Sequence, residues 1–333
     1  MNLPAGVTGN TAQTRRLRMR YIESGPASGV PVVMVHGNLS TGRFFEHLMP
    51  GAPDGYRIIA PDMRAFGDTE RKPMDATRGL RDWADDTAAL LETLGITRPP
   101  HLVGWSTGGA AIANYAQDRA VASLTFIDPV SPFGFGGTRL DGTPCFPDFA
   151  GTGGGTGNPE FIKRIADHDR SDESPFSPRN VINSSYWAAS HREPKEREDM
   201  LLEEVLKSET GDDGNPGDST ASPNWPGMAP GTRGVLNALS GKYSNWSGIV
   251  DIEPKPPILW THGTAGWPGE DVFPPQPMVT QIRNVLEQYR KKGGRVEVEM
   301  FDGSGHGPLF DATERWSNVF FKFLASVEVP AAV

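Results

Sequence analysis

The stretch Gly104–Gly108 reads GWSTG and lies between two segments of different character. Residues 101–103 (HLV) before it are typical of a strand, and residues 110–113 (AAIA) after it are small and suit a helix. A serine between two glycines on a strand-to-helix turn is the pattern of a nucleophile elbow. The tight turn needs glycine where a Cβ would clash. The sequence therefore predicts Ser106 as a nucleophile, with the Thr107 N–H and the positive end of the helix close by to receive negative charge.

The bulk composition favours a globular enzyme and disfavours several other classes of protein. The 333 residues include 32 basic and 41 acidic side chains, a net charge of −9, so neither nucleic acid nor an anionic membrane is expected as a partner. No apolar run approaches the roughly eighteen residues of a membrane helix, and residues 1–20 lack the apolar core of a signal peptide. Cys145 is the only cysteine, which excludes a disulfide framework and a cysteine metal cluster. We expect a cytoplasmic protein; homo-oligomer formation is left open.

Strand and helix patterns alternate along most of the chain. Apolar or alternating segments predict strands at 17–23, 31–35, 57–60, 101–103, 122–127, 257–260 and 296–300. Helical spacing predicts helices at about 77–94 and 278–289, and a capping-box pattern at 311–314 predicts the start of a last helix. This alternation predicts an α/β fold, in which a mostly parallel central sheet carries helices on both faces.

One long segment interrupts the alternation. Residues 131–249 are rich in Gly and Pro, have no strong strand pattern, and carry helical patterns at about 159–168, 178–190, 194–208 and 231–240. Because this segment falls between two predicted sheet strands, it should fold over the strand ends as a mainly helical cap (residues 131–249). Residues 1–130 and 250–333 then form the core domain.

A serine nucleophile requires a base, and His306 is the histidine whose position fits. It lies in the glycine-lined loop 303–307 (GSGHG), after the last predicted strand and before the final helix. An imidazole that takes the serine proton turns a poor nucleophile into a good one, and the order serine before histidine is that of a triad on such a fold. His262, near the end of the preceding strand, is expected to contribute little.

A second loop is placed to bind a developing oxyanion. His36-Gly37-Asn38 follows the early strand 31–35, where the second N–H of an oxyanion hole is expected. We interpret the backbone N–H groups of Asn38 and Thr107 as the two donors, each contributing on the order of 3 kcal/mol to transition-state stabilisation. The alternative is an ordinary strand-to-loop turn.

These motifs resemble the α/β-hydrolase family with a large helical cap, and the resemblance covers essentially the whole chain. It rests on His36-Gly37, residues 62–67 (DMRAFG), the elbow at 104–108 and Gly305-His306, which occur in the family's order. The resemblance implies hydrolysis through an acyl-enzyme on Ser106, without a metal or an organic cofactor. Relatives that open epoxides or remove halide carry Asp at the elbow, whereas this chain has Ser.

The acid of the triad departs from the family pattern. Relatives usually carry it as Gly-x-x-Asp after the penultimate strand, but here residues 263–266 read GTAG. Asp128, after the strand that follows the elbow, is our first choice, since some family members, including hydrolases of large mycotoxin lactones, place the acid there. An Asp before Pro also commonly shapes a turn. Glu270 or Asp271 is the second choice, and a site without an acid is the third.

The expected substrate is a small molecule, a bulky apolar ester or lactone. Trp105 and Trp187 are predicted to bind it, although a tryptophan beside the nucleophile can equally belong to the core. The same fold also supports an acyltransferase, a C–C hydrolase or a cyclase of secondary metabolism. A ligand-binding protein with a vestigial triad is the alternative of another class.

Overall fold

The computed structural model describes residues 2–266 and 276–328, and its centre is an eight-stranded sheet. The strands, numbered along the chain with those of the cap included, are β1 (Val7–Gln13), β2 (Arg18–Ser24), β3 (Val30–Val35), β4 (Tyr56–Pro61), β5 (His101–Trp105), β6 (Ser123–Ile127), β7 (Thr210–Gly211), β8 (Asn215–Pro216), β9 (Ser219–Ala221), β10 (Met228–Pro230), β11 (Ile258–Gly263) and β12 (Val296–Phe301). The sheet order is β1-β2-β4-β3-β5-β6-β11-β12. Strands β1, β2 and β4 pair antiparallel, and the remaining pairs are parallel. The predicted fold class is confirmed.

Helices flank the sheet, and four of them lie in the segment 131–249, where they account for 33 of its 119 residues, so this segment is less helical than predicted. The helices are α1 (Arg81–Thr93), α2 (Thr107–Asp118), α3 (Pro159–Ala166), α4 (Pro178–Ser185), α5 (Lys195–Leu206), α6 (Val235–Leu239), α7 (Met278–Lys291), α8 (Pro308–Asp311) and α9 (Thr313–Ala325). Short 3₁₀ turns occur at Gly42–Phe45, Met49–Gly51, Ala76–Arg78, Gly154–Thr156 and Ser247–Asp251.

The central strands are apolar because both faces of the sheet are covered. Strands β5, β6 and β11 are buried along their whole length, and β3 is buried from Pro31 onwards. Continuous apolar runs are typical of parallel strands with helices on each side. The carboxyl ends of these strands therefore meet at one edge of the core.

The predicted cap segment 131–249 falls wholly between β6 and β11. It contains α3 to α6 and two small two-stranded sheets, β7 with β8 and β9 with β10. The helices at 178–185 and 235–239 are shorter than predicted. Gly234 precedes α6 with a φ of 92°, a backbone conformation that side chains rarely adopt, so the helix begins after it.

Two local predictions are wrong for identifiable reasons. Residues 77–80 do not join α1, because Gly79, with a φ of 60°, separates the 3₁₀ turn Ala76–Arg78 from the helix. The capping box predicted at 311–314 is not formed: Asp311 ends α8, and α9 begins at Thr313 without a side-chain cap. Strand β1 lacks a regular apolar pattern and was not predicted, yet it pairs along its length with β2.

Candidate active site

Ser106 occupies a strained turn between β5 and α2, with a φ of 54° and a ψ of −115°. Glycine is required on both sides of it. A Cβ on Gly104 would lie 2.4 Å from the Gly108 carbonyl oxygen, and a Cβ on Gly108 would lie 2.1 Å from the Val35 carbonyl oxygen. The Ser106 N–H donates to the Ile127 carbonyl at 2.9 Å, which ties the turn to β6. The GWSTG stretch therefore forms the sharp strand-to-helix turn that exposes a nucleophile.

A cavity of about 220 Å³ opens above this turn. It brings together six of the seven residues predicted from sequence, with His262 as an additional polar side chain. The predicted residues that line it are Asn38, Trp105, Ser106, Thr107, Asp128 and His306. Of the predicted set, Trp187 alone is absent from its walls.

Two residues that line this cavity have backbone N–H groups without a hydrogen-bond acceptor in the described chain. Within residues 2–266 and 276–328, the N–H groups of Asn38 and Thr107 donate to no other group. The loop that carries Asn38 comes close to the nucleophile because residue 37 is glycine, where a Cβ would lie 3.1 Å from the Ser106 Cβ. Two unpaired N–H donors beside a serine are what the binding of an oxyanion requires.

The His36 ring holds the Asn38 loop from behind. Its Nδ1–H donates to the Gly37 carbonyl at 2.7 Å, and its Nε2 accepts the Met63 N–H at 2.9 Å. Burial lowers the pKa of His36 to about 4, so the ring is neutral at pH 7, as an accepting Nε2 requires. The sequence motif His36-Gly37 thus fixes a loop and does not transfer protons.

The cap reaches the same loop through Tyr186, at the end of α4. Its hydroxyl donates to the Leu39 carbonyl at 2.8 Å and lies 3.2 Å from the Asn38 carbonyl. Asn215, in β8, donates through Nδ2 to the Asn38 Oδ1 at 2.6 Å. Cap side chains therefore set the position of a loop that belongs to the core.

Changing Tyr186 to Phe is expected to lower kcat about 10-fold with little change in KM. The change leaves a buried carbonyl without its donor, which costs about 1–3 kcal/mol, and loosens the loop that presents the Asn38 N–H. Steady-state kinetics on an activated ester would measure the effect. Tyr243→Phe is the matched control, because its hydroxyl donates to the Gly231 carbonyl at 2.9 Å away from the cavity. Equal losses in both variants would contradict this role.

His306 lies in the loop between β12 and α8, and contacts from the core and from the cap hold the backbone of this loop. The indole N–H of Trp105 donates to the His306 carbonyl at 2.9 Å. Gly305 packs against the cap so closely that a Cβ would lie 2.2 Å from the Ala188 nitrogen. Burial, and secondarily the neighbouring His262, lower the pKa of the His306 imidazole to about 4. The ring is therefore neutral near pH 7 and able to accept a proton.

Asp311 anchors this loop to the cap, a role that sequence reasoning missed. Its carboxylate accepts the Gly305 N–H at 2.7 Å and the Ala188 N–H at 2.8 Å. The Ser304 hydroxyl donates to the other carboxylate oxygen. The side chain predicted to cap a helix instead joins the His306 loop to the cap.

Asp128 follows β6 with a φ of 39° and is only 2% exposed. The Gly263 N–H lies 3.2 Å from each of its carboxylate oxygens, and the His262 Nδ1 lies 3.1 Å from Oδ1. The direct contact with His306 that we predicted is not present: among the described residues, no carboxylate oxygen lies within 4.0 Å of a His306 nitrogen. Burial raises the pKa of Asp128 well above its usual value. The alternative acids, Glu270 and Asp271, lie outside the described residues.

The two predicted substrate-binding tryptophans differ in position. Trp105 is 1% exposed, stacks on Phe44 and contributes part of the cavity wall. Trp187 is 2% exposed, packs edge-on against Phe310 and does not line this cavity, so its role in substrate binding stays a prediction. Its neighbour Tyr186 lines the cavity instead. Adjacent residues after a helix end point in different directions, and the sequence did not indicate which one faces inward.

Charge and metal-binding groups are sparse at this site. No lysine or arginine of the described chain lines the cavity. The described residues contain no group of three His, Cys, Asp or Glu side chains arranged to hold a metal ion.

In the same residues, no helix is both long and apolar enough to cross a membrane.

The mostly parallel sheet, the serine elbow after β5 and the histidine loop after β12 define the class of α/β-hydrolases. Residues 32–319 match the sequence profile described as "Alpha/beta hydrolase family", and the chain belongs to this family.

Individual relatives share the fold but not a single activity. A cis-3-alkyl-4-alkyloxetan-2-one decarboxylase from Xanthomonas campestris is 37% identical over 129 residues, which cover 35% of this chain and 43% of that protein. An esterase from Rhodococcus sp. ECU1013 superimposes with a TM-score of 0.62 at 18% identity, over 96% of this chain and 99% of its own. A bromoperoxidase from Bacillus anthracis gives a TM-score of 0.63 at 18% identity, over 96% and 100%. The chain spans less than half the length of the Xanthomonas relative it matches, and the structural matches show the fold alone.

Proposed function

We propose that this protein hydrolyses a carboxylic ester or lactone through an acyl-enzyme on Ser106. The observation that carries the proposal is the placement of Ser106 on the elbow, in one cavity with His306 and the free N–H groups of Asn38 and Thr107. Nucleophile, base and oxyanion donors are the groups that acyl transfer requires.

In the proposed reaction, His306 removes the proton from the Ser106 hydroxyl as its oxygen attacks the substrate carbonyl. The tetrahedral oxyanion binds to the two backbone N–H groups, and His306 then donates the proton to the leaving alcohol oxygen. Water, activated by the same imidazole, attacks the acyl-enzyme and releases the acid. Each step uses groups that line the cavity.

The cavity wall supports an uncharged, apolar substrate. Most of its apolar lining residues come from the cap and from α7, among them Phe135, Leu236, Leu239, Met278 and Ile282. Because no cation of the described chain faces the cavity, a carboxylate or phosphate on the substrate would be desolvated without a partner. The Xanthomonas relative is named for an oxetan-2-one, which is a cyclic ester, and this supports including lactones among the candidates.

A fluorophosphonate probe is expected to add one covalent adduct, at Ser106, and none in Ser106→Ala. The phosphorus electrophile tests both the nucleophile and the oxyanion hole, because its oxygen occupies the oxyanion position. Intact-mass and peptide mass spectrometry would locate the adduct. Ser131→Ala, which changes a buried serine outside the cavity wall, is the control and should still be labelled at Ser106. A folded wild-type protein that is not labelled would favour the ligand-binding alternative.

Product analysis distinguishes hydrolysis from acyl transfer. A panel of p-nitrophenyl esters and macrolactones would first identify a substrate. Turnover in ¹⁸O-labelled water should then place one labelled oxygen in the acid product, because water attacks the acyl-enzyme. An acid without label, or an acyl group recovered on an added alcohol or amine in preference to water, would favour the acyltransferase.

A further inference from the structure

We propose that His262 is a positioning residue that links the carboxylate of Asp128 to His306. Asp128 orients the His262 ring, and His262 in turn orients His306. His306 then takes the proton of Ser106. The inference rests on the proposed function and adds a residue to it. In this arrangement Asp128 does not touch His306 but orients it through a second imidazole, so the expectation that His262 contributes little is replaced by a positioning role.

The first support is the contact between Asp128 and His262. The carboxylate Oδ1 and the ring Nδ1 lie 3.1 Å apart, and both side chains are buried. The contact does not have the geometry of a hydrogen bond, and the buried Nδ1 has no other hydrogen-bond partner in the described chain. A rotation of the ring would complete the hydrogen bond and satisfy a buried polar atom, which otherwise costs free energy.

The second support is the way the end of β11 meets the His306 loop. The Ala265 N–H donates to the Ser304 carbonyl at 2.8 Å, and a Cβ on Gly263 would lie 1.8 Å from the Gly305 carbonyl oxygen. These contacts hold His262, one residue before Gly263, beside the His306 loop, and both rings line the same cavity. Backbone contacts therefore hold the segments that carry the two histidines side by side.

The proton arrangement follows from the hydrogen-bonding capacity of a neutral imidazole, which has one donor and one acceptor. If the Nδ1–H of His262 faces the Asp128 carboxylate, its Nε2 is left as an acceptor for the Nδ1–H of His306. That bond fixes the tautomer of His306 in which Nε2 is unprotonated and can take the Ser106 proton. When His306 becomes positively charged, the neighbouring ring and carboxylate stabilise the charge. No proton is gained or lost by the pair in this arrangement.

The absence of a carboxylate at residue 266 explains why a second imidazole is needed between the acid and His306. The family's usual acid position is held here by Gly266, where a Cβ would lie 3.2 Å from the His306 backbone nitrogen. A carboxylate at that position would therefore lie beside His306. Without it, the buried Asp128 lies nearer to His262 than to His306.

The test compares His262→Phe with His262→Gln. Phe keeps the ring volume but has no hydrogen-bonding atoms, so kcat should fall about 10²- to 10⁴-fold, toward the loss expected when a triad acid is removed. Gln retains a donor for Asp128 and an acceptor for His306, so kcat of His262→Gln should be at least 10-fold higher than kcat of His262→Phe. KM should change little in both variants. Asp128→Asn combined with His262→Phe should cost no more than the worse single change, since the two residues act as one unit. Wild-type kcat in a folded His262→Phe, or additive losses in the double variant, would overturn the proposal.

A rescue by a second substitution distinguishes a positioning role of His262 from a merely structural one. Gly266→Asp, added to His262→Phe, should restore at least 10-fold in the rate of fluorophosphonate labelling, because a direct acid replaces the linked one. If the doubly changed protein folds but gains no rate, the loss in His262→Phe is structural and the proposal is overturned. If wild-type protein is not labelled at Ser106, the proposed function itself fails. If it is labelled and His262→Phe labels equally fast, only the role of His262 fails.

Discussion

Changing His306 to Ala is expected to lower kcat/KM by about six orders of magnitude, the loss seen when the histidine of a serine triad is removed. Without the imidazole, the Ser106 hydroxyl has no acceptor for its proton, and the leaving group has no donor. Substrate binding depends on the apolar walls, so KM should change little. Stopped-flow or steady-state kinetics with an activated ester would measure the loss. His168→Asn, a change of an exposed cap histidine whose φ of 53° suits Asn, is the matched control and should retain full activity.

The pH dependence of the wild-type enzyme gives an independent check on His306. A general base must be neutral, so kcat/KM should fall as the pH drops through the pKa of this ring in the free enzyme. Burial and the neighbouring His262 lower that pKa to about 4, so activity should persist to about pH 5 and decline only below it. An acid limb centred near pH 6.5, the usual value for histidine, would show that His306 is more solvated than the structure indicates. Substantial activity in His306→Ala would show that another residue is the base.

The residues that sequence reasoning identified most securely are those fixed by local geometry. Ser106 and its flanking glycines lie within five residues of one another, and the turn that they form allows few other residue types. His306 was predicted because the chain order of a triad places a histidine in the loop after the last strand, and β12 is that strand. Both the local spacing of residues and the order of the strands along the chain can be inferred from the sequence.

The contacts that sequence reasoning missed join distant segments of the chain. Asp128 and His262 end two neighbouring parallel strands, β6 and β11, so the sheet brings them side by side although 134 positions separate their numbers. Their proximity follows from the order of the strands across the sheet, which the alternation of elements along the chain predicts only in outline. The same limit applies to the cap, where Tyr186 faces the cavity and Trp187 does not. Which of two adjacent side chains faces inward is decided by packing against the core.

Asp311 shows the limit most clearly, because its sequence pattern supports a different role. Residues 311–314 have the spacing of a capping box, in which Asp311 would bind the N–H groups of the last helix and Glu314 would bind back. In the structure α9 begins at Thr313 and has no side-chain cap, while the Asp311 carboxylate binds the backbone of Gly305 and of Ala188. A helix-capping role and a loop-anchoring role of Asp311 predict different effects of Asp311→Ala and Glu314→Ala.

Changing Asp311 to Ala is expected to destabilise the protein by about 2–4 kcal/mol and to lower kcat about 100-fold. Two backbone N–H groups and the Ser304 hydroxyl lose a charged acceptor, and the His306 loop loses its link to the cap, where a displacement of about 1 Å can cost 100-fold in rate. Chemical denaturation and steady-state kinetics would measure both effects.

The control for Asp311 is Glu314→Ala, which removes the other member of the sequence-predicted capping box from an exposed position. If Asp311 acted as a helix cap, both changes would lower stability by about 1 kcal/mol and leave kcat unaltered. The contacts in the structure predict that only Asp311→Ala lowers kcat, and that Asp311→Asn, which keeps one acceptor oxygen, is intermediate. Equal and small effects of Asp311→Ala and Glu314→Ala would show that the loop of His306 is held without this carboxylate. A loss of kcat confined to the Asp311 variants would show that the cap helps to position the catalytic base, although it contributes none of the reacting groups.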